Sequence, residues 1–192
     1  MSVHLANRGL RRRAIQAVLV ASLGCALAQP AVAVAEDEAI SRVRSTDSAL
    51  NGFIELASAR SMTFRRLLAL IQGSNGIVYV EPGECGHGTR ACLKVWMGAA
   101  GDNRLLRVVI DRRQARSDED VMGSIGHELQ HTVEALSEQS TNDGIRLYNF
   151  FSRAALMSGT RFETTAAIKA GDAVRVEVRR NRDRRYLLQR AD

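Results

Sequence analysis

Residues Gly126-His127-Glu128-Leu129-Gln130-His131 carry the pattern H-E-x-x-H. On a helix, two histidines four positions apart stand one turn from each other and can chelate a single zinc ion, while a glutamate beside the first is placed to activate a water at the metal. The local sequence predicts that helix. Ser117-Asp118-Glu119-Asp120 supplies a hydroxyl cap with acids in the first turn, and Val121, Ile125, Leu129, Val133 and Leu136 follow at helical period. At about 100° of rotation per residue, His127, His131 and Glu134 share one polar face opposite the apolar stripe, and Glu128 falls at the border between the two. His127 and His131 are therefore candidate metal ligands, and Glu128 is the candidate general base.

A catalytic zinc takes a third protein ligand and keeps a position open. His87 is conceivable, but it sits in the glycine-rich stretch between Cys85 and Cys92. Glu134 lies on the correct face, yet its axial rise of about 10.5 Å from His127 suits orienting His131 better than ligation. Glu163 follows 32 residues after His131, beyond a helical hairpin that could fold back. Thr160-Arg161-Phe162-Glu163 is also a capping box, so ligand and cap stand as two readings of Glu163. Tyr148 offers a hydroxyl to a developing oxyanion, although its neighbours Leu147, Phe150 and Phe151 suit packing. Trp96 reads as sheet core or cleft wall.

Gly-His-Glu-Leu-Gln-His at 126–131 is similar to the active-site helix of zincin metallopeptidases, and Phe162-Glu163-Thr164-Thr165-Ala166-Ala167 resembles the glutamate-bearing second helix of the gluzincin branch. The two segments together also resemble small secreted bacterial proteins of unassigned activity. The resemblance implies one zinc ion held by His127, His131 and Glu163, with Glu128 as base and a peptide or protein as substrate. Ser137 stands where the metzincin branch places a histidine.

Around this segment, residues 47–72 have a helical period with a break near Ser61, and Gly73-Ser74-Asn75-Gly76 ends it. Three β-type runs follow at 77–81, 91–97 and 104–111, and the short connections predict an antiparallel meander. Helices are expected again to about Ser137, over 143–157, and from Phe162 into the basic tail at 179–185. The expected fold class is α+β, a single domain over residues 36–192. Its small three-stranded antiparallel sheet packs against helices in a minimal zincin, gluzincin-like architecture. A strand edge near Val108–Ile110 could align an extended peptide.

Arg11-Arg12-Arg13, an apolar run over 14–28 and the small-residue exit Ala26-Leu27-Ala28 describe a signal peptide over residues 1–28, with a later cleavage possible at 35. The whole chain has 27 Lys+Arg against 21 Asp+Glu, a net charge of +6. Four of those arginines lie in the first 28 residues, which hold no acid. Their removal leaves 23 against 21, or +2, so the basic pI gives no argument for nucleic-acid binding. The apolar run is short for a membrane span, and no stable span is expected after processing. Cys85 and Cys92 flank a loop between two β-type runs, which points to a disulfide; free thiols, or metal ligation with His87, are the alternatives. A secreted or periplasmic zinc-dependent hydrolase, specifically a metallopeptidase, is expected. The alternative is a non-catalytic zinc-bearing binding protein of the cell envelope.

Overall fold

The computed structural model describes residues 41–189 except 87, 155, 159 and 160. The signal-peptide reading of residues 1–28, the cleavage site and His87 lie outside the described residues. In chain order the elements are β1 (Val43–Arg44), α1 (Ser48–Arg60), α2 (Met62–Gln72), β2 (Gly76–Pro82), β3 (Ala91–Ala100), β4 (Asn103–Ile110), α3 (Asp118–Ser137), α4 (Gly144–Ala154), β5 (Leu156–Ser158), β6 (Arg161–Glu163) and α5 (Thr165–Gln189). The fold is α+β, with five helices and a four-stranded mixed sheet among the described residues.

The predicted three-stranded antiparallel meander is corrected in both count and direction. The strand order is β1-β2-β4-β3; β2 runs parallel to β1 and to β4, and within this sheet β3 pairs antiparallel with β4. Two causes can be named. β4 has the most buried apolar side chains of the four strands, Leu106, Val108, Val109 and Ile110, which fits an interior strand. The connection over residues 83–90 is also long enough to step across one strand, two spacings of about 4.8 Å each. Pro82 and Ala91 consequently both pair with Ile110, one on each side. Cys85 and Cys92 form a disulfide within this crossing, with Cα atoms 5.8 Å apart.

Register explains where the core lies. Val78 pairs with Leu106 and Val80 with Val108, so these alternate residues on one face stack in rows in the core, with Ile110 beyond them. The other face carries Tyr79, Glu81 and Arg107; Arg107 pairs with Glu81, and Arg44 lies 4.9 Å above the Tyr79 ring. Local caps set the helix starts. Asp47 accepts the Leu50 N–H, Ser61 accepts that of Phe64, and Ser117 accepts that of Asp120.

Helix α3 is the centre of the fold rather than a surface helix with one apolar stripe. Thirteen of its 20 residues are buried, Glu128 and His131 among them. The polar face opposite the apolar stripe is covered by α5. Gly123 and Gly171 lie back to back: a Cβ on either would come within 3.0 Å of the other's carbonyl oxygen, and one on Gly126 would meet Val174 at 2.8 Å. This close approach sets the start of α5, and the strand before it, over the two histidines. The C-terminal region differs from expectation as well. α4 ends at Ala154, and a short antiparallel pair, β5 and β6, occupies the interval before α5.

Candidate metal centre

His127 and His131 stand one turn apart on α3, their ring centroids 4.9 Å apart and nearly perpendicular. Glu163 reaches them from β6, with Oε2 3.1 Å from His127 Nε2. One ligand atom from each of His127, His131 and Glu163 lies within 4.8 Å of the other two. The capping reading of Glu163 is thereby corrected. Glu163 belongs to a strand, and the cap of α5 is Thr164, whose Oγ1 accepts the Ala167 N–H at 3.0 Å while its carbonyl accepts the Ile168 N–H. Glu163 is likewise not on a second helix; it precedes one.

The donor set fits a divalent metal ion on an observation of its own. His131 is 4% exposed, and its Nε2 is buried without a hydrogen-bond partner among the described residues. An orphaned buried nitrogen is costly unless something engages its lone pair. The other ring nitrogen is occupied: Nδ1–H donates to Glu134 Oε2 at 3.1 Å. That bond fixes the tautomer and leaves the Nε2 lone pair toward Glu163 and His127, the arrangement that metal-ligating histidines need. Two imidazoles and a carboxylate are a donor set suited to zinc.

Charge in the site follows from burial and proximity. Burial pushes the Glu128 carboxyl above the ordinary glutamate range, partly offset by the two histidines and by the Leu93 N–H. For Glu134, burial acts upward but is outweighed by hydrogen bonds from His131, Thr164 and Gln130, so its pKa is lowered. Burial acts to lower the His127 pKa, yet the Glu163 hydrogen bond and the charges of Glu128, Glu163 and Glu134 raise it on balance.

Glu128 Oε1 lies 4.0 Å from His127 Nε2, and Oε2 accepts the backbone N–H of Leu93 at 2.7 Å. Strand β3 therefore forms one wall of the site. The expected peptide-aligning edge at Val108–Ile110 is corrected, because β4 is an interior strand and the sheet edge is β3. That edge is itself partly occupied. Leu93 N–H is spent on Glu128, and Gly144 sits so close to the Val95 carbonyl that a Cβ there would lie 3.0 Å away.

In front of the triad lies a cleft whose apolar wall is Leu93, Val95, Leu147, Phe151 and Phe162, with the Cys85–Cys92 disulfide at its rim. Phe151 meets the His131 ring edge-on at 5.3 Å, and Phe162 stacks on Phe151. Tyr148 is not brought to the site. It stands one residue after the buried Leu147, so helical rotation turns it outward; it is 50% exposed, packs edge-on to Phe162 and does not line the cleft. Trp96 is also largely exposed rather than buried in the sheet. Sequence reasoning missed the Leu93 N–H and the Thr164 hydroxyl, which donates to Glu134 Oε1 at 2.8 Å. A backbone donor has no residue signature, and Thr164 beside Glu163 was the one available signal.

Among the described residues no helix is long and apolar enough to cross a membrane, and the disulfide is consistent with an extracytoplasmic location. No protein-family model, curated protein or solved structure matches the chain.

Proposed function

We propose that the protein is a zinc-dependent hydrolase acting on peptide bonds, with His127, His131 and Glu163 holding the ion. The observation that carries this reading is the buried Nε2 of His131, without a hydrogen-bond partner among the described residues and facing a second imidazole and a carboxylate beside an apolar cleft. Zinc bound there would supply Lewis acidity toward a carbonyl and toward water. Glu128 borders the same space without being one of the three ligands. Its burial raises its affinity for a proton, so it would accept one from the attacking water and return it to the leaving amine. Leu93 N–H anchors one carboxylate oxygen and leaves the other toward His127. The wall of Leu147, Phe151 and Phe162 would receive an apolar side chain of the substrate and keep water from the reacting bond. The fold implied by this reading is a minimal, gluzincin-like zincin.

A non-catalytic zinc-bearing binding protein of the cell envelope is the second reading, in which the Glu128–Leu93 hydrogen bond ties β3 to α3 instead of orienting a base. Glu128→Gln separates the two. The variant should retain stoichiometric zinc and fold while peptide cleavage falls by about three orders of magnitude or more. Wild-type zinc protein that cleaves nothing in a broad peptide library, or a Glu128→Gln variant as active as wild type, would establish the binding protein instead.

A further inference from the structure

We infer that Thr164 is a positioning residue of the metal site, holding His131 in its ligating tautomer through Glu134 and tying that orientation to the segment that delivers Glu163. The inference rests on the metal-site reading above for its functional consequence, while its structural core does not depend on any ion.

The hydrogen bonds leave little freedom. A threonine hydroxyl has one proton to give. Thr164 Oγ1 accepts the Ala167 N–H at 3.0 Å as the cap of α5, and its own proton goes to Glu134 Oε1 at 2.8 Å. The direction of the second bond is forced, because an ionised carboxylate only accepts. Gln130 Nε2 donates to the same Oε1 at 3.3 Å, and His131 Nδ1–H donates to Oε2 at 3.1 Å. Glu134 is thus fixed by three donors, two from its own helix and one from 30 residues further along the chain. Without the Thr164 donor, the carboxylate can rotate away from Nδ1. The imidazole then loses the bond that keeps its proton on Nδ1 and its lone pair on Nε2.

Position in the chain adds the second half of the argument. Glu163 and Thr164 are consecutive, so one short segment supplies a carboxylate to His127 and a hydroxyl to the outer partner of His131. When the start of α5 is docked on α3, both histidines are engaged from the same side.

A merely structural role, capping α5, predicts a different pattern of variants. Thr164→Ser keeps cap and proton; Thr164→Val loses both. Thr164→Asp keeps a side-chain oxygen that caps at least as well, but when ionised it has no proton to donate and sets a second carboxylate beside Glu134. Two measurements decide. In metal-free protein, the 15N shifts of His131 should report the Nδ1–H tautomer in wild type and Thr164→Ser, and a mixed population in Thr164→Val. In zinc titrations against a competing chelator, Thr164→Ser should bind within about twofold of wild type, and Thr164→Asp about tenfold or more weakly. Either an unchanged His131 tautomer in Thr164→Val, or zinc affinity of Thr164→Asp within twofold of wild type, overturns the inference. Wild-type protein that takes up no zinc overturns the metal reading instead, and the tautomer measurement, made without metal, still decides the part played by Thr164.

Discussion

At the scale of single residues, His131 is polar on both sides of its ring and buried on all of them. One nitrogen is held by Glu134; the other faces His127 and Glu163. The three candidate ligands should then contribute unequally from Glu134. His127→Ala and His131→Ala are expected to abolish stoichiometric zinc, and Glu163→Ala to weaken binding by at least tenfold, as measured by equilibrium dialysis with metal analysis. Glu134→Ala should cost less than Glu163→Ala, because it removes orientation rather than ligation. The opposite order, with zinc lost in Glu134→Ala and retained in Glu163→Ala, would exchange their roles. His127, Glu128 and His131 were legible because H-E-x-x-H is a pattern in side-chain types at fixed helical spacing. Of the two readings of Tyr148, oxyanion donor or packing, the structure shows packing on Phe162; a residue type able to donate a proton says nothing of rotation, and one position along α4 moves a side chain by about 100°.

At the scale of elements, the site depends on how closely α5 approaches α3, which the glycines at 123, 126 and 171 permit. A methyl group at Gly126 would press on the fully buried Val174. Gly126→Ala should therefore destabilise the protein by roughly 1–3 kcal/mol in urea unfolding and weaken zinc binding at the same time. Unchanged stability would show that the helices yield without strain. The far end of the contact makes a prediction about acid. Glu177 on α5 accepts from Ser61 Oγ at 2.6 Å, from the Thr63 N–H at 3.0 Å and from Thr63 Oγ1 at 2.8 Å, tying α5 to the start of α2. Burial acts to raise its pKa, but these hydrogen bonds outweigh it and lower the value below the ordinary 4.5. A group depressed in the folded state contributes stability above its unfolded pKa and loses it as pH falls through the folded value. Urea midpoints measured from pH 6 downward should fall below about pH 4.5 less steeply in Glu177→Gln than in wild type; parallel curves would remove Glu177 from the acid limb. The break at Ser61 was readable from the interrupted helical period, and the start of α3 because capping is local chemistry. Glu163 tested that logic and failed it: Thr160 to Glu163 has the types of a capping box, yet Arg161–Glu163 forms β6 and the helix begins at Thr165.

At the scale of the whole molecule, fold class was legible and topology was not. Helical and β periods gave an α+β chain, but period 2 says that a strand exists without naming its neighbour. The informative feature was the run Leu105-Leu106-Arg107-Val108-Val109-Ile110, which has five large aliphatic side chains against three in β2 and forms the interior strand. The disulfide closes the crossing that results. Replacing both Cys85 and Cys92 with serine should lower stability by about 2–3 kcal/mol by the loop-entropy relation, read as a shift in urea midpoint. On the hydrolase reading proposed above, peptide cleavage should also fall beyond what lost stability explains, because the pair borders the cleft. Stability equal to wild type would mean that the crossing holds without its bond.

The strand order also bears on the chain while it is still being made. β2 precedes β4 by some 20 residues, yet β4 is its principal partner, and β1 covers only two of its residues. Until Asn103–Ile110 has been synthesised and has turned back along β3, the segment Ile77-Val78-Tyr79-Val80 has an unpaired edge and the side chains of a core strand. β4 arrives already paired to β3 through the tight turn at Gly101, whose φ of +58° suits glycine. The nascent chain is thus most open to misassociation through β2, in the interval before a ready-made hairpin reaches it.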